Sequence, residues 1–193
     1  IWYSFNLLNE LGIDNQLVSI PSNDNEYFIE EIRKINPKAK CIPDNVPIRG
    51  NAAGLISALL SIPENIDHIF VLHPDSSCFI SVSTVLPALE KHLEQKLVST
   101  FSVKEENFLE AQNSITNDDF EPKSAGVFIF EKKWITEVAQ LLNVDSNTNE
   151  HRIEYLFEKA MKTPLRTSLF SIPTSEYKNL NTINDINTNQ LKS

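Results

Sequence analysis

Two carboxylates and a glycine-framed loop are the residues of this chain best placed to do chemistry. Gly50-Asn51-Ala52-Ala53-Gly54 opens an apolar helical stretch that runs to Leu60. A loop entering a helix N-terminus presents backbone N–H groups that no intrahelical carbonyl takes up, and such groups suit a phosphate. The apolar run Ile69-Phe70-Val71-Leu72 follows, with Asp75 just past it. A position beyond the carboxyl end of a buried strand is where α/β folds hold ligands, and one carboxylate shared with phosphate oxygens commonly holds Mg²⁺. Asp44, in Pro43-Asp44-Asn45-Val46-Pro47, follows a weaker strand signal at Cys41. In a parallel arrangement it falls on the same side as Asp75. Together these positions suggest a nucleotide site. Each also has a plain structural use: the glycines for close packing, the two aspartates as turn residues.

Other reactive residues form no such group. His73 and Cys78 flank Asp75, but a transition-metal site needs three or four convergent ligands, and no second cluster is present. No His or Asn constellation points to Cys78 as a nucleophile. His68, His92 and His151 are expected at the surface. Near the end, Asn179-Leu180-Asn181-Thr182-Ile183-Asn184-Asp185 reads as a loop with an Asx or Thr cap into a short helix.

The elements that must position these residues alternate between helix and strand. Helical spacing covers Ile1 to Leu11, with Gly12 as its stop, and Leu17-Val18-Ser19-Ile20 is a short strand ended by Pro21. Asp24 caps a helix with Phe28, Ile32 and Ile35 on one face, and Lys40-Cys41-Ile42 is a weak strand. After the Ala52–Leu60 helix and the Ile69–Leu72 strand comes an amphipathic helix from Ser83 to Gln95, with Pro87 expected near its first turn. Leu97 to Val103 alternates as a strand, and the acidic stretch from Lys104 to Lys123 is a loop or irregular hairpin. A strand at Val127–Phe130, helices at Trp134–Leu142 and Ile153–Met161, and a strand at Leu169–Ile172 complete the pattern, before a polar tail from Asn187. Such alternation predicts a single three-layer α/β/α domain over residues 1–193 with a mostly parallel central sheet.

Composition narrows the partners. The formal net charge of −9 argues against nucleic acid, whose phosphates are held by a Lys/Arg excess. No apolar run is long enough to span a bilayer, and the opening Ile1-Trp2-Tyr3 has no signal-peptide pattern. Cys41 and Cys78 show no paired spacing, which favours free thiols and a cytoplasmic location.

Gly50-Asn51-Ala52-Ala53-Gly54-Leu55 resembles the G-P-L-A-G-L loop of the MobA-like nucleotidyltransferases, the molybdenum cofactor guanylyltransferases and their relatives. Phe70-Val71-Leu72-His73-Pro74-Asp75 resembles that family's V-L-P-C-D, and Asn179 to Asp185 its terminal N-x-N-T-P-E-D, in the same order and at similar spacing. The resemblance covers almost the whole chain and implies a nucleotide-diphospho-sugar transferase-like fold. It implies transfer of NMP from GTP or CTP to a phosphorylated acceptor, molybdopterin in the nearest relatives, with loss of pyrophosphate. Asp75 would then bind Mg²⁺ between the nucleotide phosphates and Asp44 would contact the nucleoside. Gly50 and Gly54 would frame the nucleotide, and Asn179 and Asn181 would lie by the acceptor. A sugar-phosphate or acidic-sugar nucleotidyltransferase, and a nucleotidyltransferase-like scaffold without catalysis, are the alternatives.

The chain departs from the family in its Asp75-Ser76-Ser77-Cys78-Phe79 loop, which has an added residue and lacks the proline of D-x-P-F, and in Asn184, where the family carries Glu. The family's glycine-rich triphosphate segment and its central first strand belong ahead of Ile1. Without that strand its neighbours are expected to carry unpaired backbone groups, each costing about 1–3 kcal/mol when buried.

Overall fold

The computed structural model describes residues 1–22, 25–46, 49–75, 79–95, 98–103, 124–139, 150–153, 156 and 166–177. Their order is α1 (Trp2–Glu10), β1 (Leu17–Ile20), α2 (Asn25–Ile35), β2 (Lys40–Pro43), α3 (Asn51–Leu59), β3 (His68–Leu72), α4 (Val82–Gln95), β4 (Val98–Val103), β5 (Ser124–Glu131), α5 (Lys132–Ala139) and β6 (Thr167–Ile172), then a short 3₁₀ turn at Thr174–Glu176. The Lys104–Lys123 segment, most of the Ile153–Met161 helix, Asp24, Cys78, the Asn179–Asp185 motif and the polar tail lie outside the described residues.

The strands form two sheets. β1 and β2 pair in parallel, Leu17 opposite Lys40 through Ile20 opposite Pro43. The larger sheet has the order β3-β5-β4-β6. β5 is antiparallel to both β3 and β4, while β4 and β6 are parallel. Three of these four strands therefore run one way, with β5 alone reversed.

Period-two alternation along β5 builds the three layers. Phe128 and Phe130 point to one face, where they meet Ala52 and Leu55 of α3 and Ile135 of α5. Ala125, Val127 and Ile129 point to the other, against Leu7 of α1 and Val85 and Ala88 of α4. All six residues from Ala125 to Phe130 are buried, apart from Gly126 each an apolar side chain, as expected of an interior strand covered on both faces. A third cluster, Phe5, Ile20 and Ile32, fastens α1 and α2 to the small sheet.

Three local expectations need correction. Ile69–Leu72 was expected to be a buried strand, but β3 is only half-buried throughout, and among the described residues β5 is the strand that pairs with it and none covers its opposite edge. Pro87 lies in the second turn of α4, not the first, and the helix continues through it. His92 is not at the surface: its ring is fully buried between α4 and β4. His92 Nδ1 lies 2.9 Å from Ser99 Oγ and its Nε2 3.2 Å from His68 Nδ1. Burial, with a smaller effect of His68, lowers its pKa to about 4.

Candidate functional site

A cavity of about 670 Å³ is lined by residues at the carboxyl ends of β1, β2 and β3, among them Ser19, Asp44, His73 and Pro74, and by Gly50 and Gly54 of the loop into α3. The small sheet holds Asp44 in place. Its amide continues the ladder by donating to Ile20 O at 3.0 Å, and its carboxylate accepts a hydrogen bond from Ser19 Oγ on the adjacent strand. Gly54 lets α3 lie directly on this pair. A Cβ at Gly54 would come within 2.8 Å of Ser19 Cβ and 3.5 Å of Asp44 Oδ1.

Gly50 serves a different purpose. Its φ of +94° lies in the region that favours glycine, and a Cβ there would be 3.0 Å from His151 N and closer still to His151 O. The segment from Glu150 to Ile153 is laced onto the loop: His151 N donates to Arg49 O at 2.8 Å, His151 O accepts from Ala52 N at 3.2 Å, and Ile153 N donates to Asn51 Oδ1 at 2.8 Å. Ala53 N bonds to Gly50 O. The amides of Ala52 and Ala53, expected to be free for a phosphate, are thus already taken by the chain itself. Both glycines serve close packing, Gly50 against the His151 backbone and Gly54 against Ser19, and both also line the cavity.

Asp75 stands at the third corner. His73 N extends the β3 ladder to Gly126 O at 2.8 Å, after which Pro74 and Asp75 turn outward and are exposed. Tyr177 lies within electrostatic reach: its pKa is raised, mainly by burial and further by the Asp75 charge. One exposed carboxylate with room for water and phosphate oxygens suits Mg²⁺, which is often held by one or two carboxylates plus substrate phosphates. Among the described residues no group of three or more His, Cys, Asp or Glu forms a metal centre by itself.

The structure thus brings Asp44, Gly50 and Gly54 to one cavity; Asp75 follows Pro74, which lines that cavity, but does not itself line it. Asn179 and Asn181 lie outside the described residues. Sequence reasoning did not identify Ser19, the His151 strap or Tyr177. Ser19 left one signal, a small polar residue inside the strand Leu17–Ile20. Nor was the Glu176 clamp foreseen, in which its carboxylate accepts from Ser81 N at 2.9 Å and from Thr84 Oγ1 at 3.1 Å at the start of α4. Cys41 is a free thiol, its pKa raised by burial.

No protein-family model and no curated protein sequence matches the chain. Solved structures do. The 4-diphosphocytidyl-2C-methyl-D-erythritol synthase of Anaerococcus prevotii superposes with a TM-score of 0.68 at 11% identity, over 99% of this chain and 84% of that one. HddC from Yersinia pseudotuberculosis gives 0.63 at 15% identity, also over 99% and 84%. The chain has the nucleotide-diphospho-sugar transferase fold. A nucleoside-diphosphate-sugar pyrophosphorylase from Vibrio cholerae superposes at 0.63 with 17% identity, over 92% and 80%. HddC has also been solved in complex with GMP-PN. No helix among the described residues is long and apolar enough to cross a membrane.

Proposed function

We propose that this chain is the body of a nucleotidyltransferase, which moves NMP from a nucleoside triphosphate to a phosphorylated acceptor and releases pyrophosphate. The observation that carries the reading is one cavity lined by Asp44, Gly50, Gly54, His73 and Pro74, with Asp75 the next residue along the chain. The nucleoside would lie in the cavity that Gly50 and Gly54 line, beside an Asp44 carboxylate held in place by Ser19. Asp75 would hold Mg²⁺, which when bound neutralises phosphate charge and so eases attack by an anionic acceptor. An acceptor phosphate oxygen bonds to the α-phosphorus, the bond from that phosphorus to the α–β bridging oxygen breaks, and pyrophosphate carries the bridging oxygen away. The chain's own contribution is positioning and charge.

A sugar phosphate or related polyol phosphate is the favoured acceptor. The similar structures include a diphosphocytidyl-methylerythritol synthase and a nucleoside-diphosphate-sugar pyrophosphorylase, whose names carry that class of product. Molybdopterin is the second reading, favoured by the Gly50–Leu55 loop and the Asn179–Asp185 motif. A scaffold without catalysis is the third.

The test is calorimetric titration of the wild-type chain and Asp75→Asn with GTP and CTP, with and without Mg²⁺. Any binding nucleotide is then assayed for pyrophosphate release with sugar phosphates and with molybdopterin. Mg²⁺-dependent binding lost in Asp75→Asn supports the reading, and turnover identifies the acceptor. Binding that is indifferent to Mg²⁺ and to Asp75 overturns the assigned metal role, and binding without turnover favours the scaffold.

A further inference from the structure

The amino end of β3 carries a second cluster of chemistry-bearing side chains, away from the candidate nucleotide site. His68 opens that strand and Leu72 closes it, a separation of about 13 Å at roughly 3.3 Å per residue. In the antiparallel register His68 stands opposite Glu131, at the end of β5. Directly opposed residues project from the same face of a sheet. α4 covers that face through Val85 and Ala88, and His92 lies one turn beyond Ala88 on the same side of the helix. His92 therefore meets His68 from the helix layer, with its Nε2 3.2 Å from His68 Nδ1 and the two rings at 83°.

Two features of this pair fit a shared metal ion. Two imidazole nitrogens bound at about 2.0–2.1 Å to one tetrahedral ion lie roughly 3.3 Å apart. The second nitrogen of His92, Nδ1, is 2.9 Å from Ser99 Oγ in β4. A metal-bound imidazole commonly donates its other N–H to such an outer acceptor, which fixes the ring and leaves the ligating nitrogen its lone pair. The setting is also accessible and acidic. His68, His92 and Glu131 all line a cavity of about 610 Å³, to which Glu64, Asp67 and Glu137 add carboxylates.

We propose that His68, His92 and Glu131 bind a divalent transition-metal ion of the Zn²⁺ class, with water in the fourth position. His68 Nδ1 and His92 Nε2 supply the nitrogen ligands after a small turn of each ring. The proton between the rings passes to the other nitrogen of His68, so both imidazoles stay neutral. Glu131 supplies the oxygen. Its Oε2 is held by Arg166 Nη2 at 3.2 Å, and the three ligands are not gathered around one point while that pair is made. The pair is partly exposed, so it opposes the exchange only weakly. Lys132, another cation of the cavity wall, is already turned onto the carbonyls of Ile62 and Pro63. Mg²⁺ does not suit the site, because it prefers oxygen ligands throughout. Bound there, the ion ties α4 to the paired ends of β3 and β5.

The test uses the chain without nucleotide. Co²⁺ is added while visible absorption is followed, and Zn²⁺ is then used to displace it. An intense tetrahedral Co²⁺ spectrum is expected, abolished by stoichiometric Zn²⁺ and indifferent to excess Mg²⁺. His68→Gln is expected to weaken Zn²⁺ binding by at least about 100-fold and Glu131→Gln by about 10-fold. Arg166→Gln, which frees Glu131, is expected to tighten it. Circular dichroism of each metal-free variant checks the fold. Should His68→Gln fail to fold, Glu131→Gln and Arg166→Gln change only partly exposed side chains and carry the test in opposite directions. Absence of a tetrahedral spectrum at millimolar Co²⁺ overturns the proposal. So does a Zn²⁺ affinity that either His68→Gln or Glu131→Gln leaves unchanged, since the ion would then be held elsewhere.

Discussion

Replacing Gly50 with alanine tests how tightly the 150–153 strap is packed on the loop at the candidate site, and Gly12 provides the control. Both glycines have positive φ, +94° at Gly50 and +72° at Gly12. A Cβ at Gly12 meets nothing within 4 Å, so Gly12→Ala bears only the left-handed backbone cost, about 1–2 kcal/mol. Gly50 has a ψ of 179°, which puts it in a region almost confined to glycine, at about 1–3 kcal/mol for other residues. Its Cβ would also press on the His151 backbone, an overpacking cost of about 1–3 kcal/mol. The loss of unfolded-chain entropy, about 0.4–1 kcal/mol in favour of either alanine, cancels between the two variants. Gly50→Ala is therefore expected to destabilise by about 3 kcal/mol and Gly12→Ala by about 1 kcal/mol. Equilibrium urea unfolding of the three proteins measures both. Equal values for the two variants would refute the reasoning, because the strap would then not be seated on Gly50.

Three further outcomes are expected. Gly54→Ala gains about 1 kcal/mol of helix propensity but forces α3 off Ser19 at about 1–3 kcal/mol, so a modest net destabilisation, suppressed by Ser19→Gly, is expected in double-mutant unfolding. Glu176→Ala removes a carboxylate that bonds Ser81 and Thr84, at about 2 kcal/mol, while Glu176→Gln retains part of that. His92 binds its proton less readily when folded, so its contribution is complete above its ordinary value of 6.5 and is lost as pH falls toward about 4. Up to about 3 kcal/mol is at stake between those limits. Urea unfolding at pH 7 and pH 4.5 should show that loss in the wild type and a flatter dependence in His92→Gln; parallel losses in both would assign the acid sensitivity elsewhere.

How far the sequence led depended on whether a feature was local. The strand Leu17–Ile20 was legible because β-branched and apolar residues end abruptly at Pro21, and α3 because its apolar residues recur at helical spacing. The expectation that Asp44 and Asp75 share one side came from the alternation of helix and strand alone. The reversal of β5 was not legible: Val127–Phe130 is apolar on both faces, as an interior strand is in either direction. His92 was misjudged for a similar reason. Its burial depends on Ser99, seven residues on in β4, and His68, 24 residues back in β3, which give a buried polar ring its hydrogen-bond partners. The His151 strap arrives from a hundred residues away, and no local pattern announces that it will take the Ala52 amide. Half-burial of β3 was not legible, because an apolar run does not reveal how its edges and faces are covered.

The central claim is that a nucleotide occupies the carboxyl end of β1, β2 and β3. Mapping amide chemical shifts during titration with Mg²⁺-GTP and Mg²⁺-CTP tests it most directly. The account predicts that shifts concentrate at Asp44, Gly50, Gly54 and Asp75, with His92 and the far ends of the strands unmoved. Shifts centred elsewhere, or none at millimolar nucleotide, would contradict it.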